Sequence, residues 1–89
     1  MDVAVEIYEP ESGRALEMRT TQPGMLFHSG NALKGNDIGK SGVIYKKYAG
    51  FIFEPQHYCD SPNQINFPNT ILRPGQEFVE TSVWKFFIK

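Results

Sequence analysis

Val3, Val5 and Ile7 alternate with Ala4, Glu6 and Tyr8. That two-residue period predicts a strand with one buried face. Pro10-Glu11-Ser12-Gly13 breaks the run with turn-forming residues, and Gly13 is free to take a positive φ. Leu16 and Met18 then alternate with Glu17 and Arg19, so the two runs predict an antiparallel hairpin. Thr20 to Gly24 interrupts again, because Pro23 has no N–H and Pro-Gly favours a turn. Met25 to His28 predicts a short third strand.

From residue 29 to residue 50 no period holds. Glycines and lysines punctuate a stretch that reads as one long loop, and loops of that length are usually functional or mobile. Phe51-Ile52-Phe53 predicts a short buried strand ending at Glu54-Pro55. Residues 55 to 70 are again irregular, with a brief strand expected over Thr70 to Leu72. Arg73-Pro74-Gly75-Gln76 carries Pro and Gly in the order of a type II turn. Phe78 to Ile88 is the longest strand candidate. Phe78, Trp84, Phe86 and Ile88 fall on one face, and Val79, Val83 and Phe87 on the other. Apolar residues on both faces call for cover on both sides. Eighty-nine residues hardly supply two covers, so this strand expects neighbours from outside the chain.

Composition agrees with a folded, β-rich chain. Forty per cent of the residues are apolar and 13% aromatic, too many for a disordered tail. The length allows one small domain, and a chain this small buries only about 60–65% of its unfolded surface. It is either a modest domain or one part of something larger. Nine Lys plus Arg against ten Asp plus Glu give a net charge of -1. Nucleic-acid and membrane partners want clustered positive charge, so neither is expected. No apolar run is long enough for a transmembrane helix, and no signal peptide is visible. The lone cysteine, Cys59, fits a reducing compartment.

Three clusters invite a chemical reading. The only histidines, His28 and His57, with Cys59 and Asp60 invite a metal-site reading, but His57 and Cys59 are two apart, which is not the spacing of common zinc sites, so no metal is expected. Gly35 to Ser41 resembles a phosphate-binding loop one residue too short, without a strand and helix around it. Glu54 sits at the end of an apolar run beside Gln56. A carboxylate positioned there by aromatic walls can act as a general base. From the residues alone, a solvated glutamate at a strand end is the commoner reading.

Six stretches in order carry a resemblance: Ser12-Gly13-Arg14, Thr20-Thr21-Gln22-Pro23-Gly24, Ser29-Gly30-Asn31, the segment GFIFEPQHYCDSPN from Gly50 to Asn63, Phe67-Pro68, and Leu72-Arg73-Pro74-Gly75. Together they resemble the C-terminal portion of the aldose 1-epimerases, or galactose mutarotases. The resemblance implies an all-β fold, an antiparallel β-sandwich piece of the galactose mutarotase-like supersandwich. It implies a monosaccharide substrate whose α and β anomers are interconverted in a cleft, by a cytoplasmic isomerase of hexose metabolism that needs neither cofactor nor metal. Glu54 aligns with the family's base, which takes the proton of the C1 hydroxyl. Leu26 stands where many members have a sugar-contacting Gln, and Gln56 follows the base in the same segment.

Departures accompany the resemblance. The family's acid histidine lies in upstream segments, and neither His28 nor His57 falls in its motif. His28 sits where many members have Tyr, Tyr48 replaces a common His, and Pro55 replaces a Thr or Ser. The chain is therefore expected to hold half of an acid–base pair, to be inactive alone, and to need the N-terminal part of the same domain as partner. The competing readings are a non-catalytic sugar-binding β-module using Trp84 as a stacking platform, and a strand donor completing another chain's sheet. The family branch acting on phosphorylated hexoses ranks low, because Arg14, Arg19 and Arg73 do not cluster beside Glu54 in sequence.

Overall fold

The structure, a computed structural model, describes residues 1–89. It is all-β, with five strands and one 3-10 turn. The strands are β1 (Val3–Tyr8), β2 (Arg14–Thr20), β3 (Gly24–His28), β4 (Ile52–Gln56) and β5 (Ser82–Ile88). One antiparallel sheet has the order β1-β2-β5, and a second pairs β3 with β4.

The first hairpin forms where the alternation and the turn residues place it. Ile7 pairs with Leu16 and Tyr8 with Ala15, and a bulge between Val3 and Val5 ends the regular register. The Glu9 amide donates to the Arg14 carbonyl at 2.9 Å, closing the turn. Gly13 supplies its left-handed residue at φ 75°. The Glu9 carboxylate accepts the amides of Glu11 and Ser12 at 2.9 and 2.8 Å. The Ser12 hydroxyl and these two amides hold Glu9 below the usual carboxylate range.

β2 is the central strand, flanked on both sides. It pairs with β5 over seven consecutive positions, from Arg14 opposite Ile88 to Thr20 opposite Ser82. That position explains why Ala15, Leu16 and Met18 are the buried apolar residues, with Met18 fully enclosed. Directly paired residues share a face. Val5, Ile7, Leu16, Met18, Trp84 and Phe86 therefore lie together. This face looks toward the second sheet, where Phe53 meets Trp84 with ring centroids 6.4 Å apart. Phe27 and Phe51 extend the aromatic layer, at 5.1 and 5.6 Å from Phe53.

Four expectations need correction. β4 does not end at Glu54-Pro55 but runs on to Gln56. It has a neighbour on one side only, and an edge strand tolerates the missing proline donor. It is also not buried: Phe51 and Ile52 are exposed. Residues 70 to 72 form no strand, since nothing pairs with them. The last strand begins at Ser82 rather than Phe78, because β2 ends at its partner Thr20. Just beyond that point Thr21 still holds the chain, its hydroxyl accepting the Thr81 amide at 2.9 Å and donating to the Glu80 carboxylate. The turn at residues 73–76 does form, with the Gln76 amide donating to the Arg73 carbonyl at 3.0 Å.

Two predictions follow from this packing. Met18→Ala removes the one fully enclosed side chain and should cost about 2–5 kcal/mol. Ile65→Ala, at a fully exposed position, should change stability by less than about 0.5 kcal/mol. Urea unfolding followed by Trp84 fluorescence compares them, and equal effects would contradict the core placed at β2. The second concerns Asp60, which takes φ 62° ahead of the 3-10 turn Ser61–Asn63. Its carboxylate accepts from the side chains of Asn63 at 2.6 Å and Gln64 at 3.0 Å, which hold it below the usual aspartate range. A carboxyl depressed in the fold stabilises above its unfolded pKa of about 3.9 and loses that contribution as pH falls through the folded value. Amide exchange at Asn63 and Gln64 should therefore accelerate relative to the intrinsic rate below about pH 4 in the parent and show no such step in Asp60→Asn. A parent profile without the step would contradict the turn.

Candidate functional site

β3 and β4 form a short ladder with two unlike faces. Met25, Phe27, Phe53 and Pro55 share one face, and Phe53 puts it against the larger sheet. Leu26, His28, Ile52, Glu54 and Gln56 share the other. Leu26 stands directly opposite Glu54, and His28 directly opposite Ile52. The two-residue period thus sends the aromatic residues into the inter-sheet layer and the polar ones outward.

A cavity of about 460 Å³ opens on this outward face, a volume within the range of small-molecule pockets. His28, Asn31, Leu33, Phe51, Ile52 and Glu54 line it. Its wall is built where the two ends of the long loop meet. Gly30 takes φ 75°, and a Cβ there would collide with the Gly50 carbonyl oxygen. The Tyr48 and Leu33 amides both donate to the Gly30 carbonyl, at 3.0 and 3.2 Å. A slightly larger hollow, about 490 Å³, lies near Ile7, Leu16, Phe51 and Phe86. It is mostly apolar and holds neither His28 nor Glu54, and we read it as unfilled space between the sheets.

Within the cavity the Glu54 carboxylate stands 3.6 Å from His28 Nε2. That distance is too long for a hydrogen bond. The side chains are 41% and 51% exposed, and an open pair of this kind is worth about 0–1 kcal/mol. Stability does not account for the juxtaposition. A half-exposed carboxylate and imidazole side by side in a concave site are equipped to accept and donate hydrogen bonds to a polar ligand.

The three residues singled out in sequence reach one sheet face but not one cavity. Glu54 lines the cavity; Leu26 and Gln56 do not. The Gln56 amide instead donates to Cys59 Sγ at 3.7 Å. Asp60 is engaged with Asn63 and Gln64. Trp84 packs on Phe53, on the side of β3–β4 away from Glu54. The residues from Gly35 to Ser41 belong to a small reversal in which Ile38 bridges Ile44 and the Gly39 amide donates to the Val43 carbonyl at 2.8 Å. Sequence reasoning weighed His28 as a departure from the family's motifs but did not place it beside Glu54. Its alternation with Leu26 was the available signal, but the pairing with β4 that brings it to Glu54 spans a long loop and leaves no local trace.

The family model for aldose 1-epimerase matches residues 1–84. The chain is 45% identical to the galactose mutarotase of Homo sapiens over 82 residues, which cover 92% of this chain and 24% of that protein. It is 48% identical to the galactose mutarotase of Mus musculus over 77 residues, 86% of this chain and 22% of the relative. It is 30% identical to the aldose 1-epimerase of Escherichia coli K12 over 86 residues, 94% of this chain and 25% of the relative. The chain thus spans about a quarter of the length of the curated relatives it matches. With an all-β fold and a family match along nearly its whole length, the chain belongs to the aldose 1-epimerase family.

Proposed function

We propose that this chain carries the base of a mutarotation site, with Glu54 taking the proton of an aldose C1 hydroxyl. The observation that carries the reading is the Glu54 carboxylate, half-exposed in a concave site, in a chain of this family. The requirement on the protein is placement of the carboxylate against the hydroxyl. A strand residue meets that requirement better than a loop residue, because the ladder fixes its backbone on one side.

The O1 proton passes to Glu54 while the C1–O1 bond gains double-bond character. The C1–O5 bond breaks, O5 keeps the electron pair, and O5 is protonated by an acid. The open-chain aldehyde rotates about C1–C2, and closure on the other face returns both protons. The acid belongs to the part of the family fold outside these 89 residues, in keeping with the chain's coverage of its relatives. The substrate class is aldohexoses such as galactose and glucose, in a cytoplasmic setting that suits the free Cys59.

Polarimetry tests the reading. The 89-residue chain alone should leave the mutarotation of α-D-galactose and α-D-glucose at its spontaneous rate. Grafted in place of the homologous quarter of human galactose mutarotase, it should support catalysis. Glu54→Gln in that graft should lower kcat by about 10²–10⁴-fold, the range for loss of a general base. A Glu54→Gln graft as fast as its parent would contradict the assignment. Catalysis by the isolated chain, abolished by Glu54→Gln, would overturn the need for an outside acid.

A further inference from the structure

We propose that His28 is a second substrate-contacting residue, donating its Nε2–H to the same anomeric oxygen whose proton Glu54 takes. The inference rests on the role of Glu54 given above and adds the partner that works with it. Its basis is the 3.6 Å gap between His28 Nε2 and Glu54 Oε2. The gap is too long for the two to bond each other, yet it lies within the span of one oxygen that hydrogen-bonds to both at about 2.8 Å. A hydroxyl is the group that fits, since it donates and accepts at one atom. It would donate to the carboxylate and accept from the imidazole.

The neighbours leave this task to His28. Leu26, directly across from Glu54, has no polar side-chain atom, and neither has Ile52, directly across from His28. Gln56 is turned to Cys59. Asn31 also brings a polar side chain to the lining, but it comes from the loop rather than from the ladder. His28 is thus the polar neighbour of Glu54 that the paired strands themselves hold in place.

The contact has a catalytic consequence. Negative charge builds on O1 as its proton leaves, before the C1–O1 double bond is complete. A donor fixed at that oxygen is worth more in the transition state than in the bound sugar, and so accelerates the reaction. The Nε2–H is present both in the imidazolium and in one neutral tautomer. His28 gives up no proton in this role, and the protonation of O5 is left to the outside acid.

The test uses the same graft. His28→Phe keeps a ring of similar size and removes the donor, so kcat/KM for galactose should fall by about 10–100-fold. His28→Gln places an amide N–H near the same position and should recover at least about fivefold of that loss. Inhibition by 1,5-anhydro-D-galactitol, which lacks O1, should be unchanged in His28→Phe. Overturning results are a His28→Phe kcat/KM within about threefold of the parent, a Gln variant no better than the Phe variant, or parallel loss of inhibitor binding, which would mark a structural role. Loss of activity in Glu54→Gln with no effect in His28→Phe would sink this inference alone. Full activity in Glu54→Gln would sink the role of Glu54 itself.

Discussion

The candidate site depends on the five-residue ladder between β3 and β4. Neither strand is long, and their sheet has only two members. Yet this pairing brings together residues from the two sides of a loop spanning 29 to 51, and it decides which side chains share a face. A one-residue slip of β4 would send Glu54 into the aromatic layer and Phe53 to the cavity. The register is secured by what the opposite face does. Phe27, Phe53 and Trp84 must meet between the sheets, and so Leu26, His28 and Glu54 must point away. The chemistry is positioned by aromatic contacts on the reverse side of the strands that carry it.

The same hydrophobic logic shows that much of the chain expects further cover. Its radius of gyration is 16.9 Å. A compact domain of this length would have about 12 Å. It makes 34 backbone hydrogen bonds, against about 60 for a compact chain of this size. Phe86 and Ile88 are 78% and 72% exposed on β5, a strand paired along one edge only. Apolar strand residues in that state leave this part of the sheet without cover. Coverage of about a quarter of its relatives' length is consistent with this unfinished character.

How legible all this was in the sequence followed the range of the interactions. The hairpin of β1 and β2 was readable because alternation and turn residues act locally, and the type II turn at Arg73 to Gln76 for the same reason. Strand ends were not readable where a distant partner sets them. β5 starts at Ser82 because β2 ends at Thr20, and Thr70 to Leu72 have the composition of a strand but no partner. Pro55 was misleading: it marked the end of a strand, and only the edge position of β4 makes it tolerable. In the candidate site, the sequence singled out Glu54 from its context and from the resemblance, and Glu54 lines the cavity. His28 was not, because its meaning comes from a cross-strand contact with a residue 26 positions away.

The account turns on where an aldose would sit against the outward face of β3–β4. The most direct measurement is a crystal structure of human galactose mutarotase carrying this segment, soaked with galactose. The account predicts the anomeric oxygen within about 3 Å of both the Glu54 carboxylate and His28 Nε2. A sugar whose C1 lies away from Glu54, or a Glu54 side chain turned into the Phe27–Phe53 layer, would contradict it.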